Sequence, residues 1–130
     1  MDSVYLYDRW YGHIPGAGWD EVTSQAEWVC DHRDQPDEGI WGPAAAPGSS
    51  CTRGLCAGVA IERAIRLATR QGLPADLERW RKARGAIYRR IMDRGWSPTL
   101  KAFVQYEGGD VADAAVLLMP LVKFISPTAP

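Results

Sequence analysis

Asp76-Leu77-Glu78-Arg79-Trp80-Arg81-Lys82-Ala83-Arg84-Gly85-Ala86-Ile87-Tyr88-Arg89-Arg90-Ile91-Met92-Asp93-Arg94-Gly95 reads as a single amphipathic helix. Leu77, Trp80, Ala83, Ile87 and Ile91 recur at helical spacing and share one face, while the basic residues crowd the other. Gly95 is a natural stop, because glycine ends helices at no steric cost.

Helical patterning continues on both sides. Upstream, Val59 to Gln71 carries Val59, Ile61, Ala64, Ile65, Leu67 and Ala68 on more than one narrow stripe, which predicts a helix packed on two sides. Gly72 terminates it and Leu73-Pro74 turns the chain. Asp20 to Asp31, with Val22, Ala26 and Val29, predicts a shorter amphipathic helix that ends before Asp34-Gln35-Pro36-Asp37. Downstream, Lys101 to Tyr106 predicts a short extended piece, and Gly108-Gly109-Asp110 a turn with an N-cap. Asp110 to Phe124 is nearly all apolar and predicts a buried helix, kinked or shortened at Pro120. Helix, turn, helix with short connections gives an all-α architecture of antiparallel pairs.

The chain has 130 residues, the length of one ordinary domain, a net charge of -1 and a pI near 6.1. That balance gives no global electrostatic reason to expect nucleic acid or a membrane as partner. Glu78 and Asp93 interrupt the basic run from Arg79 to Arg94, which therefore reads as a solvated helix face. No apolar run reaches the roughly 18 residues of a membrane span, and Met1-Asp2-Ser3 opens without a basic segment leading into an apolar one. A soluble, cytoplasmic protein is expected. The 3 cysteines cannot complete a disulfide framework, and Cys30, His32, Cys51 and Cys56 match no standard zinc spacing, so no metal is assigned. Glu21, Trp28, Trp41 and Trp96 suit carbohydrate contact, although tryptophan is more often core.

Several blocks carry a more specific signal. Asp2-Ser3-Val4-Tyr5-Leu6-Tyr7, Glu27-Trp28-Val29-Cys30, Gln35 to Trp41, and Arg63-Ala64-Ile65-Arg66-Leu67-Ala68 are followed by Arg94-Gly95-Trp96, Ala102-Phe103-Val104-Gln105, Asp110-Val111-Ala112-Asp113-Ala114 and Leu117-Leu118-Met119-Pro120-Leu121-Val122. In order and spacing they resemble glycoside hydrolase family 15, the family of glucoamylases and bacterial trehalases, in its actinobacterial branch. The resemblance implies a partial (α/α)6 barrel made of antiparallel helix pairs, with residues 1–130 a single fragment of the catalytic domain. Helix surfaces without their barrel neighbours, such as Asp110 to Phe124, imply self-association through exposed apolar faces. It further implies hydrolysis of terminal α-glucosidic bonds in an α-glucoside or oligosaccharide, with inversion and without a cofactor.

Inverting hydrolysis uses two carboxyl groups roughly 6.5–9.5 Å apart, one protonating the leaving oxygen and one activating water. The family's acid follows Ile-Trp directly, and here Ile40-Trp41 is followed by Gly42. The family's base corresponds to a position beyond Pro130. No catalytic residue is therefore assigned, and the chain is expected to be inactive. Glu38, upstream, would be displaced by far more than the ångström that already costs about a hundredfold in rate. Trp41 matches the tryptophan beside the acid and is the one residue assigned to substrate binding. The alternative is a non-enzymatic helical remnant that binds sugar or a partner protein through its apolar face.

Between Gly42 and Gly58 the resemblance lapses while the residue count is kept, and irregular structure is expected over 42–58. Two compensating frame changes account for this. Trp-Glu-Thr written TGG GAG ACC becomes TGG GGA CCC, Trp41-Gly42-Pro43, when the A of GAG is lost. Leu55-Cys56-Ala57-Gly58 written TTA TGT GCT GGG hides ATG TGC TGG, the Met-Cys-Trp that the family has before its Val-Ala pair, here Val59-Ala60. Sequencing the coding DNA is expected to show that one base added near codon 42 and one removed near codon 58 recover the family residues. If no such pair exists, the segment is an ordinary divergent loop.

Overall fold

The computed structural model describes residues 1–35 and 50–126. These form helices α1 (Asp2–Tyr11), α2 (Gly16–His32), α3 (Cys51–Gln71), α4 (Leu77–Arg94) and α5 (Leu118–Leu121), a 3₁₀ helix at Ala114–Leu117, and a two-stranded antiparallel ribbon of β1 (Trp96–Ser97) with β2 (Ala102–Phe103). The all-α class follows, and no ring of helix pairs closes among the described residues. No helix there is long and apolar enough to cross a membrane.

The longer helices end where their sequences supply caps. Ser50 Oγ accepts from the Arg53 N–H at 3.4 Å at the start of α3. At its other end Gly72 is left-handed, with φ 64, and both its N–H and that of Leu73 bond the Ala68 carbonyl. Asp76 Oδ1 accepts from the Arg79 N–H at 3.0 Å and opens α4, and the Gly95 N–H closes it on the Ile91 carbonyl at 2.8 Å.

Helix α3 is the centre of the packing, meeting α1, α2 and α4. A Cβ on Gly54 would lie 3.1 Å from Ile91 Cδ1, and one on Gly58 would lie 3.3 Å from Ile87 Cγ2. Residue numbers rise on one helix as they fall on the other, so α3 and α4 are antiparallel and approach across bare backbone. The face read from the sequence is the buried one, with Trp80, Ala83, Ile87 and Ile91 inside and Leu77 half-buried. Helix α2 adds Trp19, Val22, Ala26 and Cys30 to the same core. Two buried indoles there find acceptors, Trp19 Nε1–H at the Pro74 carbonyl (3.1 Å) and Trp80 Nε1–H at Glu27 Oε1 (2.6 Å).

Helix α1 is absent from the sequence expectations, yet two charges pin it to α3. Arg63, buried, donates through Nε to Asp2 Oδ1 at 2.6 Å and through Nη2 to the Val122 carbonyl at 3.2 Å, joining α1, α3 and the C-terminal segment. Asp8, also buried, accepts from Gln71 and lies 3.3 Å from Arg70.

The structure corrects several expectations. Helix α3 begins at Cys51, not Val59, so the irregular stretch expected over 42–58 is helical from Cys51 onward; residues 42–49 lie outside the described residues. The reason is local: Ser50 caps the first turn, and Cys51, Leu55 and Gly58 continue the stripe of Ile61, Ile65 and Ala68 onto the core. Asp110 to Phe124 is not one buried helix. Asp113, rather than Asp110, supplies the cap, accepting from the Ala115 N–H at 3.0 Å, and Pro120 lies in a single α-turn that ends at left-handed Lys123, φ 61. Met119 is buried, whereas Leu117 and Leu121 are 69% and 75% exposed. A stretch apolar on every side needs cover on every side, and this one meets the core along one side. The extended piece expected within Lys101 to Tyr106 is β2, which pairs Phe103 with Trp96.

Gly95 is the tightest point of the α4 exit. A Cβ there would lie 2.7 Å from the Ile91 carbonyl oxygen and 3.0 Å from Cys51 Sγ, and a carbonyl cannot rotate aside. Gly95→Ala is expected to cost about 1–3 kcal/mol, read as a lower urea midpoint at unchanged slope.

Candidate active site

Trp41, Gly42 and Glu38 lie within residues 36–49, outside the described residues, but both ends of that segment are described. Gln35, past the end of α2, and Ser50, before α3, line the same cleft. Arg53 Nη1 donates to the Gln35 carbonyl at 2.8 Å, tying the two ends together. The Cys51 N–H bonds the Gln105 carbonyl at 3.0 Å, so α3 begins against the stretch that follows β2. Gln35 and Ser50, the described residues that flank 36–49, thus stand at one rim.

Charged groups in the cleft are already committed. Arg90 donates through Nε to Glu107 and through Nη1 to Asp34 Oδ1 at 3.2 Å, and Arg94 lies 3.6 Å from Glu107. The hydrogen bond that Arg90 donates to Glu107 raises its guanidinium above the ordinary value against burial, so this cation stays charged. Glu107 and Asp34 are acceptors here, whereas a glycosidase acid must present a proton to a leaving oxygen. The Cys51 thiol is pushed up to about 11, first by burial and then by the nearby Glu107 charge, and holds its proton at neutral pH.

Four elements of the sequence reading find their places. Trp28 is 55% exposed at the cleft, its ring stacked on His32 at 4.3 Å and 9°. Trp96 packs edge-on against Phe103 at 5.2 Å and does not line the cleft, and Glu21 accepts from Gln25 on the outer face of α2. Cys30 and Cys51 are buried and Cys56 is exposed, and among the described residues no three His, Cys, Asp or Glu converge on a metal position.

The basic run of α4 is largely solvent-facing, as expected, but several of its arginines also pair with acids of other segments. Arg79 pairs with Glu27 and Asp31 of α2, Arg84 with Glu62 of α3, and Arg90 and Arg94 with Glu107, while Arg81, Lys82 and Arg89 are exposed. Sequence reasoning missed this network because its acids lie on three other segments. Glu27 and Asp31, four apart on α2, were the one local signal.

The family profile described as "Glycosyl hydrolases family 15" matches residues 5–130. The chain is 30% identical over 130 residues to a protein named Trehalase from Mycobacterium tuberculosis, a match that covers 100% of this chain and 19% of that protein. It is 31% identical over 125 residues to Trehalase of Mycolicibacterium smegmatis, covering 96% and 19%, and 29% identical over 126 residues to Trehalase of Thermoplasma acidophilum, covering 95% and 21%. The chain spans about a fifth of the length of these curated relatives. No solved structure matches it.

Glu62 supplies a test of the network. Burial opposes its ionisation, but hydrogen bonds from Arg66 and Arg84 outweigh burial and hold its carboxyl below the ordinary 4.5. The folded value is the lower one, so this stabilisation is complete above 4.5 and is lost as pH falls through the folded value. Glu62→Gln is expected to be less stable than the parent at neutral pH and to converge with it in acid, as followed by urea midpoints across that range.

Proposed function

The chain belongs to glycosyl hydrolases family 15, and from that membership we infer that it is a piece of a hydrolase acting on terminal α-glucosidic bonds, with trehalose the leading substrate and glucoamylase-type glucosides the next. The observation that carries this reading is the shared name of the relatives, trehalase, over 95% or more of this chain. Trp41 is assigned to the sugar site as an aromatic wall. Gly42 stands in the place of the acid, so the inverting mechanism of the intact relatives has no proton donor here. The pairing of Glu107 and Asp34 with Arg90 supports the same conclusion, because these two carboxylates of the cleft are already bound by a guanidinium group. A change of reading frame over 42–58 accounts for the loss, and the protein is assigned to the cytoplasm without a cofactor.

A second reading draws on one specific observation. Leu6, Tyr7, Trp10 and Tyr11 on α1, with Leu117, Leu118 and Leu121, are exposed apolar residues on a chain with no hydrolytic acid. They suit a remnant that binds sugar or protein, or associates with itself.

Hydrolysis separates the readings. The purified chain is expected to release no glucose from trehalose or maltose. Residues 36–49 grafted into the Mycolicibacterium smegmatis trehalase in place of its matching segment are expected to lower kcat by about 10²–10⁴, the worth of one general acid. Glutamate at the position of Gly42 in that graft should recover part of the activity, and the in-frame residues over 42–49 the remainder; a graft equally slow with the in-frame residues contradicts the reading.

A further inference from the structure

The exposed face of α2 carries a second grouping of carbohydrate-like chemistry. Glu21, Ser24, Gln25 and Trp28 stand at helical spacings of three and four and so share one face, while Val22, Ala26 and Cys30 face the core. Trp28 borders both the cleft that contains His32 and a shallow groove formed with Ser24, Gln25 and Val29. His32 lies parallel to the indole at 4.3 Å, and its Nδ1 is 2.8 Å from the Trp28 carbonyl oxygen. A carbonyl only accepts, so Nδ1 carries the hydrogen and donates, which fixes the imidazole plane. The indole is thus stacked on the imidazole and, 55% exposed, also borders the groove. Gln25 Nε2 donates to Glu21 Oε1 at 2.9 Å, which orients the amide that lines the groove with Trp28 and sets the carboxylate one turn further along the same face.

We infer that Glu21, Ser24, Gln25 and Trp28 form a binding platform for a gluco-configured pyranose. Such a ring has a face of C–H bonds that packs on an aromatic plane. Its vicinal equatorial hydroxyls match the paired acceptors of a carboxylate and the donor–acceptor pair of an amide. Burying Trp28 in the core would have excluded this role, and its exposure removes that explanation. The α1 aromatics have no comparable row of amide and carboxylate beside them. The choice of glucose rests on the trehalase-type reading above, whereas the geometry asks only for a pyranose with adjacent equatorial hydroxyls.

The test follows the indole N–H resonances of the full chain during titration with trehalose and with maltotriose. A saturable shift is expected at Trp28 and not at Trp10 or Trp96, the exposed tryptophans outside the groove among the described residues. Trp28→Ala and Trp28→Leu are expected to weaken binding at least about tenfold, equivalent to about 1.4 kcal/mol. Trp28→Phe should keep most of it, and Gln25→Ala should weaken it several-fold. Far-UV circular dichroism establishes that each variant folds; none removes a core side chain. An unmoved Trp28 resonance, equal shifts at Trp28 and Trp96, or parental affinity in Trp28→Leu overturns the platform. The graft assay tests the catalytic reading separately, since it changes only residues 36–49.

Discussion

The close approach of α3 and α4 across Gly54 and Gly58 is the constraint on which the remaining architecture depends. Because neither glycine has a Cβ, Ile91 and Ile87 pack against the α3 backbone. That spacing brings Arg84 within reach of Glu62 and places Arg90 beside the cleft where residues 36–49 begin and end. Gly95, at the exit of α4, completes the contact by admitting Cys51 next to the Ile91 carbonyl. Larger side chains at these positions would separate the helices and open the core formed by Trp19, Leu55 and Trp80.

Around that contact, charge does structural work. The arginines of α4 reach acids on α2, α3 and the stretch after β2, so the helix that looks like a polyanion stripe in isolation is bound to its neighbours on several sides. Exposed pairs of this kind each contribute little, about 0–1 kcal/mol. Their collective effect is orientation: they set which way the basic face points and which carboxylates are taken. Arg63 is different, being buried with Asp2 and the Val122 carbonyl as partners, so that removing either partner would leave a desolvated cation.

Membership of glycosyl hydrolases family 15 and the glycine after Ile40-Trp41 pull in opposite directions. The first shows the family, and the second puts a glycine where the sequence resemblance leads one to expect the acid. The helices are held by Trp80, Ile87, Ile91 and their neighbours, none of which depends on the residue at position 42.

Much of this was determined by sequence alone. The Leu77, Trp80, Ala83, Ile87 and Ile91 stripe specified α4 and its buried face, Gly72 its neighbour's end, and the block order the family, because periodicity and caps act within a few residues. Tertiary structure decided the rest. It showed that Arg90 holds Glu107, that Trp28 faces outward on His32, that α1 is pinned through Asp2 and Asp8, and that Leu117 and Leu121 stay exposed despite an apolar sequence. These depend on partners many residues away, and an apolar or charged side chain does not carry in its own identity whether a neighbour will arrive to cover or neutralise it.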